Sequence, residues 1–178
     1  MINMEYKPLD SKSALHHLKK KKPFSWDLNI YRGCEHACRY CFAMYSHDYL
    51  NDNNYFEAVY YKQNILRDLE RELSSPKWKR EVVSIGGVTD SYQPIEKELK
   101  LMPEVLKLMI KYKTPVIIST KSKLILRDIE LIKELAEITY VNIACTITTA
   151  DEEIRKHLEP GASTSLERFK VLSEITKD

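Results

Sequence analysis

GCEHACRYCFA, residues 33–43, carries three cysteines, Cys34, Cys38 and Cys41, within eight positions. Three thiols this close cannot all pair as disulfides, and clustered thiolates of this kind hold a metal ion or an iron–sulfur cluster. A four-iron cluster held by three thiolates keeps one iron open. Because an open coordination position is typical of catalytic centres, the stretch predicts a reactive centre rather than a closed structural one.

The spacing of the cysteines has a physical reason. Offsets of four and three residues let one compact loop turn three sulfurs toward a single cluster, and the small residues Gly33 and Ala37 let the backbone fold tightly. The alternative is a zinc site formed by the three thiols with His36 or His47. Zinc sites usually bring their ligands as two separated pairs, so the spacing favours a cluster.

Length and composition limit the class of protein. The chain has 178 residues, 43% of them apolar, which is enough for one domain with a sizeable core. A net charge of +2 does not by itself indicate nucleic-acid binding, and Lys19–Lys22 is interpreted as a solvated segment. No apolar run approaches the roughly 20 residues of a membrane span. With a polar start as well, we expect a cytoplasmic protein with reduced thiols and no membrane partner.

Short apolar stretches alternate with helical patterns along the chain. Residues 1–27 are expected to form an irregular N-terminal extension with a short helix around residues 11–18, and 28–178 to form the core. Strand patterns lie at 28–32, 82–85, 115–120 and 140–146, with an extended piece at 57–62. Helical patterns lie at 63–74, 99–110, 125–136 and 163–176, and a capping-box pattern at Thr149–Glu152 predicts one more helix start. The alternation predicts an α/β fold, a partial (β/α) TIM-like barrel of about four units.

Polar and glycine residues follow each predicted strand. The cysteines come after the first strand, Gly86–Asp90 after the second, Ser119–Ser122 after the third and Thr146–Thr149 after the fourth. Parallel strands of an α/β barrel bring their carboxyl ends to the face that carries the active site. We therefore expect these groups to converge on one site.

The spacing C-x3-C-x2-C, with Tyr40 just before the last cysteine, resembles the signature of the radical S-adenosylmethionine (radical SAM) superfamily. The resemblance implies a [4Fe-4S] cluster on Cys34, Cys38 and Cys41, with SAM on the open iron. It also implies reductive cleavage of SAM to a 5′-deoxyadenosyl radical, and a flavodoxin- or ferredoxin-type electron donor that dithionite replaces in vitro. The superfamily's partial barrel has six units, so about four units predict an incomplete N-terminal portion or, alternatively, an unusually short member whose sheet has an open edge.

Later motifs are similar to those of the radical SAM family related to spore photoproduct lyase, often described as DNA repair photolyases. Nucleic acid is the substrate class that this resemblance suggests, and the substrate stays unknown. Spore photoproduct lyase uses an additional cysteine as hydrogen donor, and residues 84–90 contain none, which argues against carrying over its reaction. The motifs are Thr89–Glu96, Thr120–Ser122, Arg127-Asp128 and Leu158–Ala162.

The resemblance also implies roles for individual residues. Tyr92, Gln93 and Glu96 are predicted to line the substrate side. The predicted SAM-binding residues are Tyr40, Gly86, Gly87, Asp90, Ser119, Lys121, Thr146 and Thr148. The alternatives to these SAM-binding roles are that Tyr40 is a core aromatic, that Lys121 is a solvated lysine, and that the two threonines are ordinary strand residues.

The rival function for the whole chain is a non-catalytic iron–sulfur or zinc-binding module.

Overall fold

The computed structural model describes residues 4–19, 24–50 and 55–176, so most of the predicted lysine run lies outside the described residues. Within these ranges the strands are β1 (Glu5–Leu9), β2 (Leu15–His17), β3 (Trp26–Leu28), β4 (Tyr31–Arg32), β5 (Ala58–Lys62), β6 (Val83–Ile85), β7 (Val116–Thr120) and β8 (Val141–Cys145). The helices are α1 (Ile65–Leu73), α2 (Glu96–Leu99), α3 (Leu101–Lys111), α4 (Ile129–Ile138), α5 (Glu152–Leu158) and α6 (Ser165–Ile175). Two 3₁₀ segments span Phe42–Leu50 and Lys123–Asp128.

A five-stranded sheet in the order β2-β3-β6-β7-β8 carries the core. Strands β3, β6, β7 and β8 run parallel, while β2 pairs antiparallel with β3. Leu28, Ile85 and Ile118 stand in register across three strands and are fully buried. Apolar residues of this kind suit strands that are covered on both faces, as parallel sheets are. The strands predicted at 82–85, 115–120 and 140–146 are confirmed.

Helix α3 packs against both α1 and α4. It buries Met102, Val105, Leu106 and Met109, whose spacing places them on one helix face. The helices predicted at 63–74, 99–110 and 163–176 are confirmed as α1, α3 and α6, and 125–136 begins as 3₁₀ before α4. Among the described residues, no helix combines the length and the apolar character that crossing a lipid bilayer requires.

A second, three-stranded sheet has the order β1-β5-β4. The chain passes from the first sheet to the second between β3 and β4, so the strand predicted at 28–32 is divided into two. Asn29 lies at this crossing, and its side-chain oxygen accepts the Val88 amide at 3.1 Å. That hydrogen bond ties the crossing to the loop after β6.

The prediction of an irregular N-terminal segment with a helix around residues 11–18 is wrong. Strand β1 pairs in parallel with β5, and Leu15–His17 is extended and pairs with β3. The amides of Ala14 and Leu15 donate to the two oxygens of Glu72 at 3.0 and 2.8 Å. Because distant groups satisfy these backbone donors, the segment does not need helical hydrogen bonds. The domain boundary placed after residue 27 stays a prediction.

Helix α5 starts differently from the prediction. Its N-cap is Asp151, whose carboxylate accepts the amides of Glu153 and Ile154, whereas the Thr149 hydroxyl accepts the Asp151 amide. A capping box does occur, but at the start of α6, where Thr164 and Glu167 exchange hydrogen bonds. The Thr149 pattern therefore precedes the helix as a turn.

Candidate functional site at the cysteine loop

The cysteine loop follows β4 directly and is folded by two tight turns. The Ala37 amide donates to the Cys34 carbonyl at 3.2 Å, and the Cys41 amide donates to the Cys38 carbonyl at 3.0 Å. Gly33 has a φ of 82°, and a Cβ there would lie 2.2 Å from the Ala58 carbonyl oxygen. Glycine is required at this position, because a side chain would push the loop away from β5.

All three cysteines line one cavity of about 170 Å³. Cys34 and Cys38 are almost fully buried, and burial raises the pKa of the Cys38 thiol to about 11 and raises that of Cys34 as well. Any metal ion or cluster that binds here must displace the thiol protons. The structure brings most of the predicted SAM-binding residues to the same cavity, namely Tyr40, Gly86, Gly87, Asp90, Ser119, Lys121 and Thr146.

Thr148, the remaining predicted SAM-binding residue, reaches the cavity only through Tyr40. Its hydroxyl lies 3.0 Å from the Tyr40 hydroxyl. Tyr40 itself is half exposed, and the Lys121 ammonium lies 5.8 Å from the centre of its ring. Tyr40 is thus a cavity-wall residue and not a core aromatic.

The two glycines after β6 allow close approach of the neighbouring chain. Gly86 has a φ of 89°, and a Cβ on it would lie 2.7 Å from the Ser119 carbonyl oxygen. A Cβ on Gly87 would lie 2.7 Å from an oxygen of Asp27. With no side chains here, the floor of the cavity is open backbone, which leaves room for a ligand.

Asp90 connects the cysteine loop to the ends of two strands. Its carboxylate accepts the Thr120 hydroxyl at 2.9 Å and the Lys121 amide at 2.7 Å, and it lies 3.2 Å from His36 Nδ1. Burial raises the pKa of Asp90, but the nearby His36 and the donated hydrogen bonds outweigh it, so the pKa lies below its ordinary value. An ionised Asp90 therefore orients His36 beside the cysteines.

The structure does not bring Tyr92, Gln93 and Glu96 into the cavity. All three are fully buried. Gln93 accepts the Glu35 amide at 2.9 Å, and Glu96 accepts the Tyr31 hydroxyl at 2.5 Å and the Met102 amide at 3.0 Å. These contacts hold the cysteine loop and the start of α3, and the predicted substrate-side role stays a prediction.

The turn between α5 and α6 braces the cysteine loop from the other side. The Arg39 amide donates to the Leu158 carbonyl at 2.9 Å, and the Gly161 amide donates to the His36 carbonyl at 3.0 Å. Glu159, fully buried, accepts the Thr148 hydroxyl at 2.6 Å and the Tyr40 hydroxyl. From the sequence, Glu159–Gly161 was interpreted either as a structural turn or as a lip of the cavity with Arg155, and the structure has a turn at Pro160-Gly161.

Tyr55 is a cavity residue that sequence reasoning missed. It is buried, its hydroxyl donates to the Val88 carbonyl at 3.1 Å, and the Cys41 sulfur lies 3.7 Å from the same hydroxyl. Its position in the sequence, 14 residues after Cys41, carries no motif that would have marked it.

We expect Gly161→Ala to disrupt the cysteine loop. A Cβ at this position would lie 2.0 Å from the Glu35 carbonyl oxygen and 3.0 Å from the His36 Cα, and both are backbone atoms that can move only with the loop. The expected result is a loss of stability of about 1–3 kcal/mol and weaker iron binding. Thermal unfolding and iron content measure the two effects, with Ala162→Ser as the neighbouring control. Unchanged iron content in Gly161→Ala would contradict the bracing role of this turn.

The donor chemistry of the cavity suits an iron–sulfur cluster. Cys34, Cys38 and Cys41 line one space together with Gly86, Gly87 and small polar residues, and cysteine thiolates are the usual ligands of such clusters. In residues 4–19, 24–50 and 55–176, no group of three or more His, Cys, Asp or Glu side chains is arranged to hold a metal ion. The fit therefore rests on the identity of the three thiols and on their place in the wall of one cavity.

A family model described as the radical SAM superfamily matches residues 28–177. An uncharacterised protein of Mycobacterium tuberculosis is 38% identical over 169 residues, and one of Methanocaldococcus jannaschii is 29% identical over 175 residues. The matches cover 92% and 94% of this chain, and 50% and 64% of those proteins.

Solved structures show the same fold. Spore photoproduct lyase in complex with a dinucleoside spore photoproduct has a TM-score of 0.67 at 12% identity, and a variant of that enzyme with bound AdoMet and the photoproduct has 0.64 at 13%. Each match covers 96% of this chain and 47% of the lyase. The chain thus spans about half the length of these relatives, and the predicted α/β fold of a partial radical SAM barrel is confirmed.

Proposed function

This chain belongs to the radical SAM superfamily, and we propose that it is the SAM-binding portion of an enzyme that starts radical chemistry on an unidentified substrate. Superfamily membership implies cleavage of SAM. The single observation that carries the proposal is that the three cysteines share one cavity with Gly86, Gly87 and Lys121. An electron donor of the flavodoxin or ferredoxin type completes the proposed system.

The residues of the cavity wall are proposed to have separate roles in binding the cluster and SAM. Cys34, Cys38 and Cys41 would hold a [4Fe-4S] cluster, which supplies the electron that cleaves SAM to methionine and a 5′-deoxyadenosyl radical. Lys121 would pair with the SAM carboxylate, because its ammonium lies near both the Tyr40 ring and Cys38.

The remaining SAM contacts would come from strand ends. Gly86 and Gly87 would let the methionine part approach the backbone. Ser119 and Thr146 would bind the ribose hydroxyls, and Tyr40 would pack on the adenine while Thr148 and Glu159 hold its hydroxyl. The buried Tyr55 would close the cavity beside Cys41.

The substrate class is proposed only in outline. Spore photoproduct lyase acts on a dinucleoside photoproduct, which makes nucleic acid the class to test first. Residues 84–90 contain no cysteine, so the hydrogen-donor step would have to differ from the one expected for spore photoproduct lyase.

The test is anaerobic reconstitution with iron and sulfide, reduction by dithionite, and chromatography for 5′-deoxyadenosine after addition of SAM. Electron paramagnetic resonance of the reduced protein, with and without SAM, reports SAM binding at the open iron. Formation of 5′-deoxyadenosine supports the proposal. A protein that binds four irons normally but yields none contradicts it for this chain, and the same assay on a chain of the relatives' full length then tests the whole enzyme.

We expect Lys121→Met to weaken SAM binding about tenfold or more, because a charged hydrogen-bond partner is lost from the cavity. The measurement is the SAM concentration that gives a half-maximal spectroscopic shift of the reduced protein. Lys123→Met is the matched control, because Lys123 lies two residues further on and pairs with Glu167 at 2.5 Å outside the cavity. Equal SAM affinity in both variants would exclude the proposed role of Lys121.

A zinc-binding module is the second candidate, and one contact favours it. The 3.2 Å contact between His36 Nδ1 and Asp90 resembles the carboxylate–histidine pair found beside many zinc sites. Metal analysis separates the two candidates, since one zinc and no sulfide supports this module and four irons with sulfide support the enzyme.

A further inference from the structure

A second cavity of about 660 Å³ lies beside the cysteine cavity, and Val88 lines both. It opens between the two sheets, at the carboxyl ends of β1, β3 and β5. None of the residues assigned above to SAM or to the cluster lines it. Because the two cavities share a wall, a molecule held in the second one would lie next to the radical centre.

Three cationic side chains line this second cavity, Lys12, Arg32 and Lys62, and of these Lys12 is exposed. In the described part of the chain, neither Lys62 nor Arg32 forms an ion pair with an acidic side chain. Lys62 is 9% exposed, and within the described part of the chain its ammonium makes no hydrogen bond or ion pair. Arg32 donates to the Ser46 carbonyl at 3.2 Å and lies 5.8 Å from the centre of the Tyr49 ring. Its other donors meet no acceptor among the described residues.

The acidic groups nearby have other hydrogen-bond donors. Asp27 accepts the Asn29 side-chain amide at 2.5 Å, and Asp10 accepts the Gln63 side-chain amide at 3.0 Å. Glu72 is occupied by the backbone amides at 3.0 and 2.8 Å described above. None of them makes an ion pair with Lys62, although Asp27 and Glu72 act on it at longer range.

An ammonium without a partner costs free energy when the side chain that carries it is nine-tenths buried, as that of Lys62 is. Burial, and then the charge of Arg32, lowers the pKa of Lys62 to about 8, so the side chain is still mostly charged at neutral pH. A protein can retain such a destabilising group when a bound ligand of opposite charge pairs with it. Lysine and arginine together are typical of sites that bind phosphate.

We propose that the second cavity is an oxyanion site in which Lys62 and Arg32 bind a phosphate group carried by the substrate. The cavity would hold the anionic end of that molecule and direct its remainder past Val88 toward the cysteine cavity. The assignment of the phosphate to the substrate rests on the proposed function, whereas the anion site itself does not.

Calorimetric titration with inorganic phosphate tests the site, and it uses the chain without cluster or SAM. Wild type and Lys107→Met should bind phosphate alike, because Lys107 is exposed and pairs with Glu104 at 2.7 Å. Lys62→Met should bind at least tenfold more weakly. Acetate, titrated in parallel, distinguishes phosphate recognition from binding of any carboxylate, and equal affinity for the two anions would overturn the phosphate assignment.

The unfolding temperature of the protein tests the proposed anion site independently. Because Lys62 has no hydrogen-bond or ion-pair partner among residues 4–19, 24–50 and 55–176, Lys62→Met should unfold at the same temperature as wild type or higher. Added phosphate should raise the unfolding temperature of wild type and not that of Lys62→Met. A Lys62→Met protein that is less stable, or that binds phosphate as well as wild type, overturns the proposal, as does absence of phosphate binding by wild type. If SAM cleavage fails while phosphate binding follows this pattern, the proposed function is lost and the anion site stands.

Discussion

Replacing Glu159 by glutamine is expected to lower the free energy of unfolding by about 3–5 kcal/mol. Glu159 and Arg168 are both fully buried, and their charged atoms lie 2.6 Å apart. Removing one partner of such a pair leaves the other charge buried without compensation. Burial raises the pKa of Glu159, but the hydrogen bonds from Thr148 and Tyr40 and the positive charge of Arg168 outweigh it, so the carboxylate is ionised at neutral pH.

The same change should also disturb the candidate site. Glu159 holds the hydroxyl of Tyr40, and the Leu158 carbonyl next to it accepts the Arg39 amide of the cysteine loop. We therefore expect iron binding to weaken together with stability in Glu159→Gln. Chemical denaturation and iron analysis measure the two quantities.

A matched control is Glu153→Gln on the surface of α5. Glu153 pairs with Lys156 at 2.7 Å, but its side chain is 83% exposed, so the loss should stay below about 1 kcal/mol. Arg168→Met combined with Glu159→Gln should recover part of the lost stability, because no buried charge is left alone. A loss in Glu159→Gln no larger than in Glu153→Gln would show that the buried pair contributes little.

The other large effect is expected from Cys38→Ser. Serine is a poor ligand for iron, so the variant should lose most of its reconstituted iron and sulfide. The yield of 5′-deoxyadenosine should fall at least about a hundredfold, because the loss of a direct ligand should exceed the 10–100-fold effect of changing an outer-shell partner. Iron and sulfide analysis and the SAM cleavage assay measure these effects on the same preparation.

Cys145→Ser is the control for general thiol effects. Cys145 is half-buried on β8, and its sulfur lies 3.9 Å from the Arg168 carbonyl oxygen, away from the other three thiols. Its iron content and SAM cleavage should match those of wild type. If Cys38→Ser keeps full iron content, the assignment of the three ligands is wrong.

Periodicity predicted the repeated units of the fold, because local patterns suffice for them. The apolar residues Val116 and Ile118 predict a buried parallel strand, and the apolar residues at helical spacing on either side predict its crossover helices. Neither prediction needs information about distant residues. The N-terminal strands could not be predicted in this way. Leu15–His17 is extended because it pairs with the nearby strand β3 and because Glu72, 57 residues beyond Leu15, accepts the Leu15 amide.

The sequence predicted the cysteines of the candidate site, but it predicted less well the residues that hold the cysteine loop and the cavity wall in place. Cys34, Cys38 and Cys41 carry a spacing that identifies them, and the strand-end rule located Gly86 and Lys121 on the same cavity. Tyr55 and Glu159 have no comparable signal. Tyr92 and Glu96, which share a motif with Asp90, turn into the core, because a motif does not state which way each side chain points.

The sequence by itself determined the kind of chemistry and the alternation of strands and helices. The spacing of the thiols indicates the chemistry, and the period of the apolar residues indicates the strands and helices, and both patterns are local in the sequence. Only the tertiary structure decided that the turn carrying Glu159 and Gly161 contacts the cysteine loop. It also decided that Lys62 is buried in the same cavity wall as Arg32, where no described residue pairs with it. These relations join residues 30 to 130 positions apart, and only the packing of two sheets and their connecting turns brings them together.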